Sequence, residues 1–330
     1  MTVVIILIII SLIFDFYNGM NDAANSIATV VSTRVLSPFQ GVVWAAFFNF
    51  ISAFIFGVHV ANTIGKGIVD PHVVDNTVIF SALVGAITLT ATATHNGLPI
   101  SVSHAIIGGF AGAAVTKSGL SALILSGIFK VAIFIFLSPL IGFLLGLIVS
   151  IITLWIVKNK PPKKVDKTFR KLQLISAAAY SMGHGTNDAQ KTMGIITVLL
   201  FSNGLLKEFY VPFWVVISCH IAIALGTLTG GWKVIKTLGM RVTKLRPFHG
   251  FSAEFSAALT LFGASSFGIP VSTTHTITGS IIGVGSIQNF SAVKWGVAKN
   301  IVLAWILTIP LSSLFASVTY LIVKFLGNGF

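Results

Sequence analysis

The sequence predicts an all-α polytopic membrane protein made of two inverted-topology repeats, with discontinuous helices and short segments that either span or re-enter as hairpins. Three observations predict it. Hydrophobic residues make up 55% of the 330 and charged ones 9%, whereas soluble domains run at about 45–50% and about 25%. Runs almost free of charge, such as Leu120 to Val157, match or exceed the roughly 20 residues a helix needs to cross the hydrocarbon core. Finally, two polar motifs each occur twice. GMNDAANS at Gly19 to Ser26 returns as GTNDAQKT at Gly185 to Thr192, and GLPISVSHAIIGGFAG at Gly97 to Gly112 returns as GIPVSTTHTITGSIIG at Gly268 to Gly283. Strands are excluded because alternating polarity is missing, and a lipid-exposed backbone must pair within its own segment.

Taken in order, the first half gives five apolar segments: 2–33, interrupted at the motif, then 41–62, 77–95, 102–116 and 120–157. The first run lacks a basic start and a small-residue cleavage site, so it reads as a helix kept in the mature protein. The second half gives 172–202, 211–230, 249–267, 273–287 and 292–325. Segments as short as 102–116 are open to a re-entrant reading. Pro139 and Pro310 fall at equivalent places in the last long segment of each half.

Net charge is +13, yet 12 of the 21 Lys and Arg lie in two patches, seven in Lys158 to Lys171 and five in Lys233 to Arg246. Patches this close to membrane segments read as cytoplasmic topology determinants that attract anionic lipid, not as a nucleic-acid footprint. The first-half counterpart of the second patch, Thr63 to Asn76, holds one Lys and two Asp. By the positive-inside rule the two loops lie on opposite sides, so the repeat is inverted and each half crosses an odd number of times. The organisation is then 1–157 as first repeat, 158–171 as basic cytoplasmic linker and 172–330 as second repeat, a multi-pass protein of the plasma membrane. A lone cysteine, Cys219, excludes an internal disulfide and metal-ligand spacing. Inverted repeats with broken helices describe secondary transporters whose substrate lies near the midplane.

Of eight acids, Asp15, Asp22, Asp188 and Glu254 lie in or beside apolar segments. An ionised carboxylate there costs about 2.5–3.5 kcal/mol on insertion scales and is normally paired or lining water. A capping role alone would not require a copy in the inverted half. In the Gly-x-Asn-Asp core, Gly19 and Gly185 let the chain leave helical dihedrals and free carbonyl oxygens, while Asn21 and Asn187 add amides, and Asn25 faces the same side one turn on. Hard cations favour such oxygens.

The second motif complements the first. Pro99 and Pro270 each close one segment and open another, whose first N–H groups point at the break beside Ser101 and Ser103, or Ser272, Thr273 and Thr274. Such an end binds anions. A Ser103–His104 hydrolase is disfavoured because helix neighbours point about 100° apart, so no enzyme activity is expected. His95, His104, His184 and His275 are read as packing and hydrogen-bonding groups before ligands. Two like charges roughly 4 Å apart repel by about 4 kcal/mol at an effective dielectric of about 20. An anion beside Asp22 and Asp188 therefore needs accompanying cations, either metal ions or protons taken up by the carboxylates.

With GMNDAANSIATVVSTR, HGTNDAQKTMG, GLPISVSHA and GIPVSTTH in this order, the sequence resembles the inorganic phosphate transporter (PiT) family, bacterial type, over nearly its whole length. The resemblance implies import of phosphate by cation-coupled symport with alternating access, the coupling ion being sodium or a proton, and no cofactor. Sulfate is the alternative cargo, since some bacterial relatives carry it, and a passive anion channel is a further alternative. Residue by residue, it implies a cation and phosphate site at Asn21, Asp22, Asn187 and Asp188, where sodium would bind, and phosphate oxygens at Ser101, Ser103, Ser272, Thr273 and Thr274. Glu254 matches a family position tied to transport, although its counterpart at the same offset is Leu83. Where sodium-using members repeat the Asn of Asn25, this chain has Lys191, which favours protons if its ammonium replaces a bound cation. The alternative for Lys191 is snorkelling to the aqueous boundary. A homodimer is suggested by the resemblance, and the long loop of some eukaryotic members is absent.

Overall fold

A computed structural model of the chain describes residues 1–287 and 290–327, apart from the side chains of Met240 and Arg241. Residues 288–289 and 328–330 of the expected second repeat, and the Arg241 side chain of the basic patch, lie outside the described residues.

Twelve α-helices and no strand are present among the described residues. They are α1 (Thr2–Ser32), α2 (Pro38–Ile51), α3 (His59–Gly67), α4 (Asn76–Asn96), α5 (Val102–Ser118), α6 (Leu125–Val157), α7 (Pro162–Ser202), α8 (Phe213–Thr229), α9 (Trp232–Arg241), α10 (Pro247–Ser266), α11 (Thr273–Ser286) and α12 (Trp295–Phe325). By length and composition α1, α4, α6 and α12 can each cross a membrane. Two more candidate spans are bent, by 81° where the segment of α2 gives way to α3 and by 74° between α8 and α9. The five-basic patch expected as a loop therefore begins as helix α9. Most of 158–171 is likewise helical, because Pro162 sits in the first turn of α7, where its missing N–H costs nothing.

The interruption expected at the Asn-Asp motifs is not there, since α1 and α7 run through both without a break. The glycines serve packing instead. A Cβ on Gly19 would stand 2.1 Å from the Ile223 carbonyl oxygen of α8, and one on Gly185 2.7 Å from that of Asn49 in α2. These residues let backbones approach where lipid supplies no hydrophobic drive, and the motif carbonyls stay in the helical ladder.

The true breaks lie between α4 and α5 and between α10 and α11. Gly97 (φ 71°) and Gly268 (φ 62°) take the left-handed conformation. Leu98 then donates its N–H back to Ala93 and Ile269 donates to Ala264, ending each helix in the same way. Ser101 and Ser272 restart the chain as N-caps, accepting from the N–H of His104 and His275 at 3.2 Å each. Pro99 and Pro270 thus precede the new helices by a few residues and are not their first turn. With 17 and 14 residues, α5 and α11 are shorter than a span needs and are buried nearly end to end. Each packs on the long Pro-containing helix of the other half, α5 on α12 and α11 on α6.

Two hydrophobic cores result. Phe14 of α1 and Ala189 and Met193 of α7 belong to one, while Ala24 and Ile27 of α1 and Ala177 and Tyr180 of α7 belong to the other. The two motif helices therefore run through the cores in opposite orders. Asp22 and Asp188 fall where each passes from one core to the other.

Candidate functional site

The tips of the two hairpins meet. Thr274 Oγ1 lies 3.2 Å from the Ile100 carbonyl oxygen, Ser103 Oγ lies 3.4 Å from that of Val271, and the His104 and His275 rings stand edge to face at 4.7 Å. Asp22 and Asp188, at most 1% exposed, face this junction from α1 and α7.

Thr273 bridges the acids. Its hydroxyl lies 2.9 Å from Asp188 Oδ2 and 3.2 Å from Asp22 Oδ2, yet a single hydroxyl proton serves one of them at a time. Thr274 Oγ1 lies 3.3 Å from Asp22 Oδ1 and Ser103 Oγ 3.5 Å from Asp188 Oδ1. Asn25 donates its amide to Thr274 Oγ1 (2.9 Å), and the matching hydroxyl, Ser103, accepts from Lys191 Nζ. Lys191 is 1% exposed, bonds Asp188 Oδ1 and the Val271 carbonyl, and so does not snorkel.

The asparagines tie motif helices to hairpins. Asn21 donates to Thr94 Oγ1 of α4 at 2.7 Å, and Asn187 to Ser265 Oγ of α10 at 3.0 Å. The amide oxygens of Asn21, Asn25 and Asn187 are buried with no hydrogen-bond partner among the described residues, so the site presents acceptors as well as hydroxyl and ammonium donors.

His184, one turn before Asp188, completes the cluster. One ligand atom from each of Asp22, His184 and Asp188 lies within 4.8 Å of the others. Asn49 gives its amide to Thr227 Oγ1 (2.9 Å) and so offers its oxygen to His184 Nδ1 (3.1 Å), which leaves Nε2 facing Asp188 Oδ2 at 3.2 Å. With Nδ1 as the donor, a neutral ring would turn an acceptor toward the carboxylate. A proton or another cation between them satisfies both.

The model of the phosphate transporter family matches residues 18–316, which contain both copies of both motifs. The chain belongs to the phosphate transporter family. A "Probable low-affinity inorganic phosphate transporter" of Rhizobium meliloti is 57% identical over 95% of this chain and 94% of its own length. Another of that description, from Bacillus subtilis, is 44% identical over 97% of each. A solved structure described as "The sodium-dependent phosphate transporter" superimposes with a TM-score of 0.88 at 28% identity, covering 98% of this chain and all of the other. These relatives are transporters and not enzymes.

Within this member of the phosphate transporter family, Asn21, Asp22, Asn25, Asn187, Asp188, Lys191, Ser103, Thr273 and Thr274 come together. Ser101 and Ser272 stand beside them as caps. Glu254 does not join them. It accepts from Gln173 Nε2 (3.0 Å) and Ser176 Oγ, and Ser176 is twelve residues, about 18 Å along α7, from Asp188. Sequence reasoning missed the roles of Thr94, Ser265, Asn49 and His184. Thr94 and Ser265 were findable, because they sit at the same 171-residue offset as the hairpin motifs.

Proposed function

We propose that this chain imports inorganic phosphate across the plasma membrane by symport with protons, through alternating access of a site near the midplane. The observation that carries the reading is the Lys191 ammonium on Asp188. At the counterpart of Asn25 it places a basic side chain on the carboxylate where a co-transported metal ion would otherwise be needed. The remaining negative charge, on Asp22, is then offset by protons. Phosphate would be held by Ser103, Thr273 and Thr274, by Lys191 and by the open N–H groups beyond the Ser101 and Ser272 caps. Phosphate also donates hydrogen bonds that sulfate lacks near neutral pH, and the carboxylates and the free oxygens of Asn21, Asn25 and Asn187 would accept them. That favours phosphate over sulfate, as do the names of the bacterial relatives.

The two halves would act as inverted repeats, 1–157 and 172–330, on either side of a cytoplasmic stretch 158–171. Supporting this are the opposite order in which α1 and α7 pass the two cores and the reciprocal packing of α5 on α12 and α11 on α6. Glu254, far from the aspartates, would act on coupling and not on the anion.

Sodium coupling is the second reading. It is favoured by the oxygen-rich surroundings of Asn21, Asp22, Asn187 and Asp188 and by the description of the superimposed structure. Purified protein in liposomes decides between them. Under the proton reading, an imposed inward proton gradient drives accumulation of labelled phosphate in sodium-free buffer and an ionophore abolishes it. Accumulation that needs sodium and ignores the proton gradient would overturn it.

A further inference from the structure

Asp15, like Glu254, is a buried acid that stands outside the site above, and it has a part in neither binding nor coupling as proposed there. It sits on α1 two turns before Asp22, about 10 Å along the axis and on the same side of the helix, with 0% exposure. Asn18 Nδ2 reaches its Oδ1 at 3.4 Å, and the Thr192 hydroxyl approaches it from α7. Asp15 Oδ2, Asn18 Oδ1 and Thr192 Oγ1 have no hydrogen-bond partner among the described residues. Among the described residues no basic side chain pairs with Asp15 either, and the buried ion pairs are those of Asp188 with Lys191 and His184.

Titratable groups that interact with Asp15 include Asp188 and Lys191 of α7 and Cys219 of α8. Among the other helices against α1, α2 carries no titratable group. Tyr180 and His184 of α7, His220 of α8, His95 of α4, His104 and Lys117 of α5, the lysines of α9, His249 and Glu254 of α10 and His275 of α11 are further titratable groups on the helices packed against α1.

We infer that Asp15 is a proton-binding site of the carrier, loaded from the outer side and emptied to the cytoplasm once in each cycle. The inference rests on the proton-symport reading. A metal ion is a poor occupant, because hard cations want about six oxygens. Here the carbonyls of two unbroken helices are already in use and three side-chain oxygens remain. A proton needs one oxygen. It adds to the Asp15 carboxylate, and the carboxylic acid so formed can in turn donate to a neighbouring acceptor. Coupling follows from charge. An ionised Asp15 places a third carboxylate behind Asp22 and Asp188, against the single fixed ammonium of Lys191, and opposes an incoming anion. Protonation removes that opposition, and by reciprocity the bound anion favours protonation.

The test uses the full chain in liposomes with a trapped pH dye, and reads protons moved per labelled phosphate under an inward proton gradient. Asp15→Asn should lower that ratio by one and reduce net accumulation by about tenfold or more. Exchange of external for internal phosphate should persist, and Asp15→Glu should restore the ratio. An Asp15→Asn protein with the wild-type ratio would overturn the inference. So would a folded variant that no longer exchanges phosphate, since Asp15 would then belong to the anion site. If the wild type itself accumulates phosphate with sodium and not with protons, the symport reading fails first, before any variant is made.

Discussion

Lys191 and Asp188 lie one turn apart on α7 and bond to each other where neither side chain is more than 1% exposed, with Ser103 and the Val271 carbonyl closing the shell around the ammonium. A charge pair so placed is costly to break from one side. The survivor has no water to turn to, and such losses run at about 3–5 kcal/mol.

Lys191→Ala should therefore lower both the melting temperature and the uptake rate, the latter to background. Lys191→Asn should be milder, because the counterpart Asn25 shows that an amide fits against the matching hydroxyl, Thr274. If Lys191 stands in for a bound cation, the asparagine variant should gain stimulation of uptake by sodium over potassium. Phosphate uptake in the two salts checks this, and a folded Lys191→Asn with full, sodium-indifferent uptake would remove the lysine from the coupling scheme.

Among the described residues Thr273 is the one hydroxyl within reach of both aspartates, and its counterpart in the first hairpin is Val102. Valine is thus already compatible with this helix start. Thr273→Val should leave the fold intact while removing a hydrogen bond to a charged group, about 1.5–3 kcal/mol, or roughly 10- to 100-fold in transport. Ser103→Ala should cost less, since Lys191 and Asp188 keep each other. Initial rates of phosphate uptake at matched protein levels would rank the two.

The sequence revealed the pairing of motifs because both copies keep the same residue types at fixed offsets, and the hairpin breaks because Gly97 and Gly268 precede prolines. It misled at Gly19 and Gly185. A glycine inside an apolar helix permits either a break or a close neighbour, and which one is used depends on whether Ile223 or Asn49 stands opposite. For His184 and Glu254, both singled out from the sequence, the partners were illegible for a related reason. Both are single residues without a copy in the other half, and their partners, Asn49 and Gln173, lie 135 and 81 residues away.

Glu254 ties α10 to α7 through Gln173 and Ser176, and Gln173 in turn accepts from Thr33 at the end of α1 (2.9 Å). This joint is remote from the aspartates. Glu254→Gln should slow transport while the phosphate dissociation constant stays within about threefold of the wild type, under 1 kcal/mol. Equilibrium binding of phosphate to the detergent-purified variant separates the two quantities. A large loss of binding would place Glu254 in the anion site after all.

The contact between α1 and α8 carries the last prediction. Gly19 faces the Ile223 carbonyl, and Gly226, one turn further along α8, faces the Phe16 carbonyl, where an added Cβ would lie 2.0 Å away. Backbone cannot move aside as a side-chain tip can, so Gly19→Ala must push the helices apart, at about 1–3 kcal/mol for overpacking. The shift would be felt at Asp22, one turn on, and through Thr227, which approaches the Gly19 carbonyl at 3.4 Å and holds Asn49 and hence His184. Gly263→Ala is the control, because nothing lies within 4 Å of its Cβ position, and alanine there should stabilise α10 by about 0.5–1 kcal/mol. Melting curves of the two variants should move in opposite directions, with uptake lost only in Gly19→Ala. If Gly19→Ala melts and transports like the wild type, the α1–α8 contact does not depend on glycine at this position and the motif glycine is free for a role in motion.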